Sequence, residues 1–185
     1  MNEESLVPLF RRVAEGDGAA MEQIYELAKW PLIRFFYRLS RSSQLAEDLL
    51  QNTFLSLWRY RHNFAGAEKT VTYLYTVSLN EWRNYLAREM KQKNVRDNLA
   101  EEFEESVDLP ASRLLEDTET RHLVQDAVAS LPRLQREAFI LHRFEGLSCR
   151  EIADVYHEPL KTIESRLRLA LQKLTYKLRL HEGLT

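Results

Sequence analysis

Cysteine is nearly missing from this 185-residue chain: Cys149 is the only one. No internal disulfide framework is possible, so the fold must rest on its core, and a reducing cytoplasm is the expected setting. Glycine and proline are scarce, five of each. Folds of short strands and tight turns draw heavily on both, so their scarcity points to long helices. No stretch approaches the roughly 20 apolar residues that cross a bilayer, and no membrane span is expected. The opening MNEESLVPLFRRVAEG is neither basic enough nor apolar enough to read as a signal peptide.

The usual equipment of catalysis is also missing. The histidines (His62, His122, His142, His157, His181) are scattered, with no HExxH and no Cys/His cluster. No glycine-rich phosphate loop occurs. The acids of EEFEES read as a solvated charge run, since such runs repel one another and stay apart. The chain is therefore not expected to be an enzyme, nor to carry a metal or cofactor.

What is present is apolar sequence in helical order. With 44 % hydrophobic and 29 % charged residues, the chain can bury a core and stay in solution. Leu6, Leu9, Phe10 and Val13 recur at i, i+3, i+4, i+7. EGDG breaks that helix, and Ala20, Ile24, Leu27 and Ala28 open the inward face of the next. Ser43 is placed to cap a third. There Leu49, Leu50, Phe54, Leu57 and Trp58 form an apolar stripe, and Glu47, Asp48, Gln51 and Asn52 a polar one. RHNFAGAEK reads as a loop, and TVTYLYTVSLNEWRNYLAREMKQK as another long helix.

Charge then shifts abruptly. Residues 97–119 hold nine acids against one base, Arg113, a net −8 in a chain whose total is −2. Residues 96–111 read as an acidic flexible linker, and the rest of the chain is net basic. Beyond it, LVQDAVASL, LQREAFILHRF, SCREIADVY and TIESRLRLALQKLTYKLRL read as four helices, with Pro132 at the first position of the second. The expected fold is all-α: two small helical domains, 1–95 and 112–185, joined by the linker.

The second domain carries a helix-turn-helix pattern. Ser148 and Glu151 make a capping box, and Leu147, Ile152, Ala153 and Val155 face inward. His157 falls where the chain needs a left-handed residue, and Pro159 stops the helix. The next helix begins near Lys161 or Thr162, with Ile163, Leu167, Ala170, Leu171 and Leu174 inward. Lys161, Glu164, Ser165 and Arg168 are left outward on its first turns, as in a helix that enters the major groove. Arg168 suits guanine and Glu164 suits cytosine N4, with an Arg168–Glu164 salt bridge as the plain alternative. Lys161 and Arg166 suit phosphates.

The first domain has its own polar stripe. Asn80, Asn84, Arg88 and Lys91 step by four, four and three, with Arg83 beside them. Amides pair with base edges and cations hold phosphates, whereas an ordinary solvated face favours Lys and Glu over Asn. Of the nearby aromatics, Tyr75, Trp82 and Tyr85 fit the core, and Tyr73 can stack on an unpaired base.

These stretches resemble a known family. AEDLLQNTFLSLWR resembles region 2.2 of bacterial sigma factors, with its D-x-x-Q-x-x-F pattern. YLYTVSLNEWRNYL resembles regions 2.3 and 2.4. LPRLQREAFILHRFEGLSCREIADVYHEPLKTIESRLRLALQKL resembles region 4, with L-P, E-G-L-S and E-I-A in order. Two such domains without a region 3, over about residues 5–178, resemble the extracytoplasmic-function class.

The resemblance implies an initiation subunit, monomeric when free, whose partners are core RNA polymerase, promoter DNA and an anti-sigma factor. It places Glu47, Asp48, Gln51 and Asn52 on the clamp helices of the β′ subunit. At the minus-ten element it places Asn80, Arg83, Asn84 and Arg88, with Phe64 and Lys69 bounding the loop that helps to capture an unpaired base. At the minus-thirty-five element it places Lys161, Thr162, Glu164, Ser165, Arg166 and Arg168, flanked by Arg136 and Ser148, while the β-flap holds the other side of the domain. The acidic linker would lie in or near the polymerase's nucleic-acid channel. Departures from the family pattern bear on the DNA preference: Lys161 for a small residue, His157 for the turn glycine, Glu164 for a base, Leu169 for Arg, Tyr73 for Trp and His142 for Arg. Two other functions compete. A helix-turn-helix regulator would need a sensing or dimerising module, which the pattern lacks. A sigma-like mimic that titrates a regulator would not need Asn80 and Asn84 together with a basic reading helix.

Overall fold

The computed structural model describes residues 3–64, 69–96 and 118–182. Among the described residues there are helices and turns but no strand. The chain divides into two compact units, Met1–Val107 and Asp108–Thr185. The first residue of the expected linker ends a helix, and the remainder, like loop residues 65–68, lies outside the described residues.

In the first unit, α1 (Glu3–Ala14) packs on α2 (Gly18–Ser40), and α2 lies along α3 (Ser43–Arg59). A 3-10 turn, Arg61–Phe64, leads to α4 (Thr70–Arg96), which packs on α3 and α1. Leu6, Leu9, Phe10 and Val13 are all buried, as their spacing requires. Leu27 is not: it is 46 % exposed, because the buried row of α2 follows Ala20, Ile24, Ala28 and Leu32 and leaves Leu27 beyond its edge. Asp17 caps α2, its carboxylate accepting from the Ala20 N–H. Ser42, not Ser43, caps α3, accepting from the Leu45 N–H after Arg41 takes a left-handed φ of 61°.

The segment read as a loop contributes to the core. Phe64 is fully buried, 5.0 Å from the rings of both Phe10 and Tyr73. In this structure its ring is turned into the core and not toward the surface, contrary to its expected place at the minus-ten element. The start of α4 is fixed from a distance as well. The Glu3 carboxylate accepts from the N–H of Thr70 at 2.7 Å, from that of Val71 at 3.0 Å and from the Thr70 hydroxyl. This is a helix cap supplied from the other end of the unit. Glu3→Ala is expected to destabilise the first unit by about 1–2 kcal/mol, seen as a lower urea midpoint at unchanged slope. An unmoved midpoint would show that the cap contributes nothing in solution.

In the second unit, α5 (Thr118–Ala129), α6 (Arg133–Arg143) and α7 (Cys149–Tyr156) all pack against α8 (Leu160–Glu182). Pro132 precedes α6 as its cap residue rather than opening it, and its carbonyl accepts from the N–H groups of Gln135 and Arg136. The α7 capping box is complete: Ser148 Oγ accepts from the Glu151 N–H at 3.2 Å, and Glu151 accepts from the Ser148 N–H at 2.7 Å. His157 takes φ 54° and ends α7, and α8 starts directly after Pro159. The inward row of α8 is Ile163, Leu167, Ala170 and Leu174, while Leu171, expected inward, is 54 % exposed. Glu137 is fully buried; it accepts from the Tyr156 hydroxyl at 2.9 Å and pairs with Arg133 at 3.2 Å, tying α6 to α7.

Candidate nucleic-acid interface

A groove of about 840 Å³ opens between α3 and α4. From α4 it is lined by Asn80, Asn84, Arg88 and Lys91, all exposed, which the helical repeat brings onto one face. From α3 come Asn52, Ser56 and Arg59, and from the turn beyond it Tyr60 and Asn63. Ser56 donates its hydroxyl to Glu81 Oε1 at 2.7 Å and ties the two walls together. Arg88 Nε donates to the Asn84 carbonyl at 3.3 Å, which holds the guanidinium along α4.

Two aromatics border this groove, Tyr60 and Tyr73. Tyr60 is exposed, and its place on the groove was not visible in the sequence pattern. Tyr73 is half-buried, and that burial pushes its phenol above the ordinary tyrosine range. Tyr75 and Trp82 are buried in the core, and Tyr85 stacks on Trp82 with ring centroids 5.8 Å apart. Burial first, and the Glu89 carboxylate second, push the Tyr85 phenol up too. Arg83 is half-buried and lies off the groove lining, and Lys69 is exposed just before α4.

The outward face of α3 holds Glu47, Asp48 and Gln51 in the open. Asn52 parts from them: it is half-buried and turned into the groove. Leu55 continues the exposed row one turn after Gln51 and is 63 % exposed, an apolar member of an otherwise polar face. Trp58, expected in the apolar stripe, is partly exposed under the Arg61 guanidinium, 4.7 Å from its ring.

On α8, Lys161, Glu164, Ser165 and Arg168 are exposed and Thr162 is half-buried. Among the described residues Glu164 and Arg168 form no ion pair, so each presents its charge to solvent. Arg166 behaves differently. Its side chain is 15 % exposed, bonded to Glu158 at 2.7 Å, with the guanidinium 5.2 Å from the Tyr156 ring. It holds the turn onto α8 and is not free to meet a phosphate. Arg136 is likewise half-buried, donating to the Ala129 carbonyl at 3.0 Å. Burial, opposed by the Glu137 carboxylate, pulls its pKa below the ordinary arginine value. Ser148 is exposed at the surface but its oxygen serves the α7 cap.

Both surfaces fall inside known families. Sigma-70 region 2 matches residues 24–92, and Sigma-70, region 4 matches residues 121–174; together they cover more than half of the chain. The chain is 28 % identical over 175 residues to the RNA polymerase sigma-H factor of Pseudomonas aeruginosa, covering 90 % of each. It is 27 % identical over 178 residues to the ECF RNA polymerase sigma-E factor of Haemophilus influenzae, covering 92 % of this chain and 93 % of that one. The chain belongs to the bacterial sigma factors of the extracytoplasmic-function class. A solved sigma factor, RpoE in complex with the anti-sigma factor NepR from Bartonella quintana, matches it with a TM-score of 0.72 and 28 % identity, over 85 % of this chain and 96 % of that one. CnrH, solved with the cytosolic domain of CnrY, shares the fold at a TM-score of 0.68 and 19 % identity, over 95 % of this chain and 97 % of that one. In this sigma factor the α3–α4 groove lies within region 2 and the outward face of α8 within region 4. Among the described residues no helix is long and apolar enough to cross a membrane, and no cluster of acids, histidines or cysteines could hold a metal ion.

Proposed function

We propose that this sigma factor works in the cytoplasm, binds core RNA polymerase through the outward face of α3, holds an unpaired minus-ten base in the α3–α4 groove, and reads the minus-thirty-five element with α8. It acts as a binding and positioning subunit and performs no catalysis of its own. The observation that carries the reading is the groove. Four amides (Asn52, Asn63, Asn80 and Asn84) and three cations (Arg59, Arg88 and Lys91) line one cleft beside an exposed tyrosine. Amides suit base edges, the tyrosine suits a base face, and cations suit the backbone between bases. Arg83 and Lys69 serve the same strand from the groove's surroundings. On α8 the base-reading residues are Glu164, Ser165 and Arg168, with Lys161 and Thr162 toward the backbone and Ser148 flanking.

Glu47, Asp48 and Gln51 are the docking residues on the β′ clamp helices, and the β-flap holds region 4. An anti-sigma factor is the proposed regulator, on the strength of the RpoE likeness. Run-off transcription with core polymerase tests the whole reading: promoter-dependent transcripts are expected, and none would remove it. Asp48→Ala with Gln51→Ala tests the docking face. The pair is expected to weaken polymerase binding about fivefold, as for exposed polar contacts in an interface, with the circular dichroism spectrum unchanged. A collapsed spectrum would make both residues structural.

A further inference from the structure

Glu81 is the only acid among the described residues that line the α3–α4 groove, a lining it shares with Arg59, Arg88 and Lys91. A cleft that only held a DNA backbone would exclude a carboxylate, since phosphates repel it. Its bond with Ser56 does not require a carboxylate, because an amide oxygen accepts from a hydroxyl equally well. That bond also occupies only Oε1. Among the described residues Oε2 has no partner, and Glu81 is half-buried rather than swept out into solvent. A half-buried glutamate thus keeps an acceptor oxygen open in a groove with a positive balance.

The question is what in a DNA strand can donate to it. Phosphate oxygens at neutral pH carry no proton, and deoxyribose within a strand has no hydroxyl, which leaves the bases. Adenine, cytosine and guanine each carry an exocyclic amino group, and an amine donating to a carboxylate makes a charge-assisted bond. Thymine carries none. Its single ring N–H lies between two carbonyl oxygens, both of which a carboxylate repels. The neighbouring amides, Asn80 and Asn84, donate and accept alike, so they tolerate either edge.

We propose that Glu81 is a specificity-determining residue of this sigma factor: its open oxygen accepts from the exocyclic amino group of the unpaired base in the groove, so that thymine is rejected there. The inference rests on the reading of the groove as the site of base capture.

The test uses the full chain assembled with core polymerase and fork templates whose non-template minus-ten segment is unpaired. Each of the four bases is placed in turn at each unpaired position, and holoenzyme binding is measured. At one position thymine is expected to bind about tenfold more weakly than the amino-bearing bases, the scale of one hydrogen bond to a charged group. Glu81→Gln keeps the shape and the Ser56 bond and supplies an N–H that a thymine carbonyl can accept. Thymine is then expected to come within about twofold of the others. A wild-type ranking that accepts thymine at every position overturns the proposal. So does an unchanged ranking in Glu81→Gln when Asn80→Ala weakens binding to the unpaired forks whatever the base, which leaves the groove reading intact and makes Glu81 a structural tie. If Glu81→Gln leaves the ranking unchanged and Asn80→Ala leaves binding to every fork unchanged, the groove holds no base, and the reading beneath the proposal fails with it.

Discussion

Asn80→Ala is expected to slow open-complex formation on duplex promoters by roughly ten- to a hundredfold, the scale of losing one amide–base contact of about 1–3 kcal/mol. The side chain is exposed and lines the α3–α4 groove, so its removal leaves no cavity in the core. Opening a duplex breaks stacking and pairing, and capture of the freed base offsets part of that loss. The contact therefore matters most where opening must be driven. On templates melted beforehand the defect should shrink to about threefold or less, because the barrier that the contact offsets has been removed. Stopped-flow fluorescence on matched duplex and bubble templates measures both. An equal defect on the two would place Asn80 in simple docking. Asn84, one turn along the same face, is expected to behave in the same way and more weakly.

What the sequence disclosed follows from how local each interaction is. The α7 capping box joins residues three apart, and the left-handed cap at His157 needs only the next turn of chain, so both were legible as pattern. The buried rows of α1 and α8 were legible for the same reason, apart from Leu171, which lies where an inward stripe gives way to open surface. Two adjacent serines offered two caps for α3. Only the backbone decides between them, since Arg41 turns left-handed and delivers Ser42 to the Leu45 N–H.

Interactions that join distant residues were not legible. Glu3 and Thr70 are 67 residues apart, and nothing about an acid near the start of α1 announces the helix it caps. Phe64 stood in a segment rich in loop residues, yet its ring closes the core against Phe10 and Tyr73. Arg166 looked like one more cation on a basic helix. Its commitment to Glu158 and Tyr156 depends on the turn folding back, a tertiary fact. In the groove, the α4 stripe was readable from its spacing, but the opposing wall of Arg59, Tyr60 and Asn63 became part of the site only when α3 packed on α4. Helical periodicity identifies a polar face without saying what that face will meet.

The reading helix gives the sharpest contrast. Arg168→Ala is expected to relax one base position of the minus-thirty-five element by about 1–3 kcal/mol of discrimination, the worth of a bidentate arginine–guanine pair. Other positions should hold. Lys161→Ala should do the reverse, weakening all promoters alike and lowering the salt slope by about 1, as for a lost phosphate contact. Arg166, held by Glu158, should not behave as such a contact, and its substitution should instead loosen the turn. Glu164 divides the possibilities further. An in-helix salt bridge with Arg168 would be worth only about 0.3–0.5 kcal/mol, and no such bridge forms among the described residues. A carboxylate left unpaired on a groove-facing surface is repelled by phosphates unless a donor meets it; the major groove offers the amino groups of adenine and cytosine, and cytosine N4, which has no acceptor nitrogen beside it as adenine N6 has, is the usual partner of a carboxylate. Glu164→Gln is therefore expected to weaken the preference for cytosine at a position close to the one Arg168 reads. Selection of promoters from a randomised library by wild-type, Glu164→Gln and Arg168→Ala holoenzymes measures both effects. If all three return the same motif, α8 recognises its site through backbone and shape, and neither side chain reads a base.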